Sequence, residues 1–292
     1  MSAGRAFRLL RSPGRRWTLS RGLAGYPSEP LTHPIDVDTP PRDAGSADRL
    51  AQSLSTGGKE TRITRLENGL RVASQEAFGQ YCTIGVFVDA GSRYEVEHTS
   101  GVSHFLQKLA FQSTEKFPSR EALLHELDQY GGVFDCQRSR DVFMYTLSAF
   151  SFALPQAMEV LSDCVWRPRI TQEELEMERQ SINFELETVK NGPSSDVWTT
   201  DLIHQAAYRD NTLGLPSLCP EENIPVIQRD ELMGYLAGHY LPTRMVLAGV
   251  NVDHDRFVGL AREWFGRTEP VWGGGGPRGP WTTLYHSIPE DQ

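Results

Sequence analysis

Two histidines one helical turn apart can hold a single metal ion, because positions i and i+4 share a face. Residues 100–111, SGVSHFLQKLAF, offer half of such a pair. The zinc-binding pattern H-x-x-E-H adds a glutamate between the histidines that takes a proton from metal-bound water. The five positions here are His104-Phe105-Leu106-Gln107-Lys108. His104 can still offer a nitrogen. Gln107 cannot take a proton from water, and the Lys108 ammonium has three donors and no lone pair for a cation. A third ligand would come from a neighbouring helix. Glu178 and Glu185, with Glu174 nearby, fall near one side of a helix, since seven residues make about two turns. From spacing alone, a solvated amphipathic helix rich in charge also accounts for that stretch.

These residues need elements to place them. Val102, Phe105, Leu106, Leu109 and Ala110 follow the i, i+3, i+4, i+7, i+8 spacing of one apolar helix face. Thr171 with Glu174 makes a capping box, opening a long helix through Leu175, Ile182, Leu186 and Val189 that ends near Asn191-Gly192-Pro193. Ser119 can cap a helix with core positions Leu123, Leu124 and Leu127, stopped by Gly131-Gly132. Pro155 starts another helix, and further ones fit residues 197–208, 229–239 and 254–265. Residues 62–66 and 70–73 alternate around Asn68-Gly69 and read as a hairpin. Residues 82–90, 133–137, 142–149 and 244–252 read as further strands. Hairpins mixed with helices predict an α+β fold: a mixed, largely antiparallel sheet packed against helices.

The charge is distributed unevenly. Residues 1–28 hold Arg5, Arg8, Arg11, Arg15, Arg16 and Arg21 and no acid, which leaves 38 acidic against 23 basic residues in the remainder. Such a leader has the composition of a mitochondrial transit peptide; a secretory signal would need an apolar core of about 7–15 residues. Residues 29–60 read as a Pro- and Ser-rich linker, 61–272 as the folded domain, and 273–292 as an irregular Gly/Pro-rich tail. Four widely spaced cysteines without a C-x-x-C pair give neither a disulfide framework nor a structural zinc site, and suit a reducing compartment. No apolar run approaches the roughly 20 residues that span a bilayer. An acidic body attracts basic peptides and gives no reason to expect a nucleic acid.

Longer stretches carry a resemblance. ENGLRVASQEAFGQYCTIGVFVDAGSRYE, GVSHFLQKLAFQST, YGGVFDCQRSRDVFMYTLSAF, ELEMERQSINFELE, HQAAYRDNTLGLP, CPEENI and MVLAGV occur in an order that resembles the mitochondrial processing peptidase family, and within it the alpha-subunit type. The likeness runs from about residue 61 to about residue 273. It implies an inverted-zincin fold and a heterodimer in which a beta subunit carries the zinc and the chemistry. This chain would then have no metal of its own and would help bind basic presequence peptides in the matrix, with association with the inner membrane as a further expectation. By position, Glu185 matches the family's third zinc ligand and Glu178 a supporting glutamate. His104, Gln107, Lys108, Glu178 and Glu185 are therefore expected to be the positions of a degenerate zinc motif, with Lys108 pairing with Glu185 in place of the metal. Alpha subunits usually keep a glutamate where this chain has Gln107. The family has two related halves, and the matching region stops before the glycine-rich loop of the second, so residues 273–276 are not equated with it. The alternatives are a structural core protein of respiratory complex III, which shares the fold, and a shortened product without activity.

Overall fold

The computed structural model describes residues 60–192, 196–209 and 211–273. The leader, nearly all of the linker and residues 274–292 of the tail lie outside the described residues. The expected hairpin forms β1 (Arg62–Arg65) and β2 (Arg71–Gln75), paired antiparallel with Arg62 opposite Ser74. Gly69 turns between them at φ +92°, and a Cβ there would come 2.6 Å from the Thr243 side chain, so glycine is required on both counts. β3 (Tyr81–Asp89), β4 (Val133–Arg138), β5 (Val142–Phe150) and β6 (Met245–Val250) complete a sheet of order β1-β2-β6-β3-β5-β4. Only the β2–β6 ladder is parallel; the other four are antiparallel. The α+β expectation therefore holds.

One face of this sheet is sealed. Val72, Ile84, Val86, Tyr145, Leu147 and Leu247 point into the core, while their alternating neighbours Thr83, Met144, Thr146 and Val246 are at least partly exposed. Helices lie against the sealed face and against one another: α1 (Val102–Lys108), α2 (Arg120–Asp128), α3 (Leu154–Trp166), α4 (Gln172–Asn191), α5 (Asp196–Ala207), α6 (Arg229–His239) and α7 (His254–Trp264). α3 lies against β5 and β3, α7 against β2, and α1 against β4, α4 and α6. The apolar row read from the sequence is the row that α1 buries: Val102 and Phe105 are fully inaccessible, and Leu106 and Leu109 nearly so. None of the described helices is long and apolar enough to cross a membrane. All four cysteines are free thiols.

The helix that carries the acidic residues starts where its sequence says. Thr171 Oγ1 accepts from the Glu174 N–H at 3.3 Å, and the Glu174 carboxylate accepts from the Thr171 N–H at 2.8 Å. Glu174 also takes the N–H of Ser113 at 2.8 Å. It is thus a capping residue that ties α4 to the chain leaving α1, and it stands apart from Glu178 and Glu185. Replacing Thr171 by Ala should lower unfolding stability by about 1 kcal/mol, the usual loss for an N-cap hydroxyl. Urea denaturation checks this; an unchanged midpoint would mean that the box is not what sets this end of α4.

Candidate functional site

Three side chains from two helices, His104, Lys108 and Glu185, meet beside β4. His104 and Lys108 lie on α1, one turn apart, and face Glu185 on α4. Lys108 Nζ is 2.5 Å from Glu185 Oε2, and His104 Nε2 is 3.4 Å from the same oxygen. His104 is 1% exposed, whereas Lys108 and Glu185 keep about a third of their side chains in solvent. The sequence-expected ion pair is therefore made, well inside the separation of about 6 Å at which it would stop shifting a pKa strongly.

The other two expected residues take different partners. Glu178, two turns before Glu185, accepts from Gln112 Nε2 at 3.0 Å. Gln107 donates its Nε2 to the Cys136 carbonyl of β4 at 3.2 Å. β4 is an outer strand of the sheet, so Gln107 satisfies a carbonyl on the last strand instead of facing Glu185. Gln107 thus turns its side chain away from Glu185, whereas Lys108 brings a charge against it.

Electrostatics follow the contacts. The hydrogen bonds from His104 and Lys108, aided by their charges, outweigh partial burial and hold the Glu185 carboxyl down to about 2. Burial pushes the His104 pKa down; the Glu185 hydrogen bond opposes this, and the Arg138 and Lys108 charges add to it. Burial raises Glu178, against the pull of Lys108. Glu185 thus binds its proton later in the folded chain than in the unfolded one, where a carboxyl titrates near 4.5. Its stabilisation is complete above about pH 4.5 and is lost as pH falls toward 2. Unfolding free energy measured from pH 6 to pH 3 should fall less steeply in Glu185→Gln than in the unmodified chain; parallel curves would deny the pair a stabilising role.

Three participants were not legible as site residues. Glu95, 3% exposed, accepts from the N–H groups of Gly101 and Ser103 at 2.8 and 2.6 Å and so anchors the start of α1. It lies six residues upstream of Gly101, beyond any local capping pattern. Arg138, one residue beyond the strand read from the sequence at 133–137, ends β4 close enough to press its charge on His104. Cys219 donates its backbone N–H to His104 Nδ1 at 3.2 Å across 115 residues. Only a three-dimensional arrangement could have shown that contact.

The chain's likenesses agree with this architecture. The family described as Insulinase (Peptidase family M16) matches residues 71–221, which run from β2 through α1, α4 and α5. The chain belongs to that family. It is 44% identical over 283 residues to the mitochondrial-processing peptidase subunit alpha of Bos taurus, covering 92% of this chain and 52% of that protein. The Homo sapiens alpha subunit is likewise 44% identical, over 281 residues, and the Bos taurus beta subunit is 40% identical over 210 residues, or 72% of this chain and 42% of that one. The chain spans about half the length of the curated relatives it matches. A protease from Helicobacter pylori shares the fold, with a TM-score of 0.67 and 20% identity over 76% of this chain and 53% of that one.

Proposed function

We propose that this chain is a non-catalytic subunit of a mitochondrial processing peptidase, which helps to bind basic presequence peptides for cleavage by a beta-type partner. One observation carries the reading: the Lys108 ammonium sits against Glu185, one turn from His104, where a metal ligand would be needed. The donors do not fit a zinc ion. Lys108 has no lone pair at neutral pH, and its charge would oppose a cation. Gln107 cannot act as a base, and its amide is engaged by Cys136. No hydrolytic step is therefore assigned to this chain; zinc and the water it activates belong to the partner. The similarity to alpha subunits supports the role, and the similarity to beta subunits fits a partner of the same fold. A matrix location, with contact to the inner membrane, follows from the same reading and from the acid-free leader.

An excess of acidic residues suits Arg-rich peptides, which it draws in by long-range attraction at low ionic strength. Co-expression with a beta subunit, followed by a presequence-cleavage assay, should give faster cleavage than beta alone. No gain over beta alone would overturn the role. Metal analysis of the purified chain should find far less than one zinc per molecule. A near-stoichiometric zinc content would overturn the non-catalytic assignment.

A further inference from the structure

We propose that His104 is a positioning residue: held as the neutral tautomer with its proton on Nε2, it latches the segment 217–227 to α4. A backbone N–H can only donate, and that of Cys219 points at His104 Nδ1 at 3.2 Å. Nδ1 must then present its lone pair, so the proton of the neutral ring lies on Nε2. Nε2 faces Glu185 Oε2, which as a carboxylate can only accept. The imidazole thus receives on one side and donates on the other, and both ring nitrogens are engaged. Metal-ligating histidines use the reverse arrangement, in which one nitrogen meets the metal and the other donates its N–H to an oxygen. The misfit to zinc therefore extends beyond the two substituted positions: the one histidine that remains is turned to another task.

That task is visible in what the segment touches. Its start is tied to α5, where Asp201 accepts from the Ser217 N–H at 2.8 Å. Asn223 Nδ2 donates to the Ser100 carbonyl, just before α1, at 2.9 Å. From α4, Arg179 donates to the Ile224 and Ile227 carbonyls at 3.1 and 2.8 Å. Gly101 approaches so closely that a Cβ there would lie 2.3 Å from the Cys219 sulfur. His104 is the buried middle link, the point where segment, α1 and α4 are joined by one ring. Lys108 completes the relay by pairing with the same Glu185 oxygen and so holding the carboxyl ionised.

This inference deepens the non-catalytic reading and rests on it only for the choice of site; the tautomer can fail while the cleavage assay succeeds, and the reverse. Three measurements on the full chain test it. In a protein labelled with 15N-histidine, long-range proton–nitrogen correlation should show His104, assigned by its loss in His104→Asn, as the Nε2–H form at pH 7. An Nδ1–H form or an imidazolium would overturn the proposal. Adding zinc to Q107E/K108H, which restores the missing base and second imidazole, should give no one-to-one complex at micromolar metal; a stoichiometric complex would overturn it. Hydrogen exchange at the Cys219 amide should quicken about fivefold or more in His104→Asn, as loss of one hydrogen bond allows. Unchanged exchange there would overturn the latch. If His104→Asn does not fold, exchange in Lys108→Met, where the relay is cut one step away, takes its place: faster exchange at Cys219 supports the latch and an unchanged rate overturns it. His104 is then assigned through its through-space contacts to the Cys219 amide in the unmodified chain.

Discussion

A carboxylate held between two helices needs a positive partner, and Glu185 is that carboxylate here. Left alone, a half-buried charge would lose solvation without return. Lys108 and His104 supply the return together because they stand one turn apart on α1. The pairing fixes the rotation of α1 about its axis, since turning it by one residue would present Leu109 or Gln107 to Glu185. It fixes the position of α4 along α1 as well, because Glu178 must remain within reach of Gln112. Each helix is then pinned at its start by another carboxylate: Glu95 receives the first N–H groups of α1, and Glu174 closes the cap of α4. Four glutamates thus set the helix pair that lies over the edge of the sheet.

The arrangement is consistent with itself without any ion. Positive charge comes from Lys108 and Arg138, and Glu185 Oε2, both ring nitrogens of His104 and the Gln107 amide nitrogen each have a protein partner. Buried ion pairs contribute little net stability, but removing one member leaves the other uncompensated and is far more harmful. Such clusters therefore resist change one residue at a time. Lys108 is the group that lets Glu185 stay charged.

Much of the fold was legible in the sequence, and the reason is local. The Asn68-Gly69 turn, the Thr171–Glu174 box and the apolar row of α1 are signals confined to a few neighbouring residues, and each produced its element within a residue or two. Long-range contacts left no such mark. Glu95 and Cys219 serve α1 from outside any local motif. α5 is the sharper case: it buries Asp201, which binds Arg140 at 2.6 Å, and leaves Val197 and Ile203 more than half exposed. Periodicity would have placed those faces the other way round, because it cannot foresee that Asp201 is the inward anchor for Ser217 and Arg140. The pairing of Lys108 with Glu185 was legible only because the resemblance aligned both positions with one ligand set; spacing along α4 by itself left a solvated helix in contention.

The order of the strands has a bearing on how the chain comes together during synthesis. β6, at residues 245–250, is the last strand among the described residues, and it lies between β2 and β3. Until it emerges, the β1–β2 hairpin and the β3–β5–β4 ladder are two separate sheets, each with a bare inner edge of hydrogen-bonding groups. Such edges invite pairing with other chains. The seam closes only when a strand about 170 residues downstream of β2 inserts between them, a connection that loop-closure entropy makes slow. Unpaired edges of this kind are where incompletely folded chains associate, so the strand order puts the closing of the sheet late in the growth of the chain.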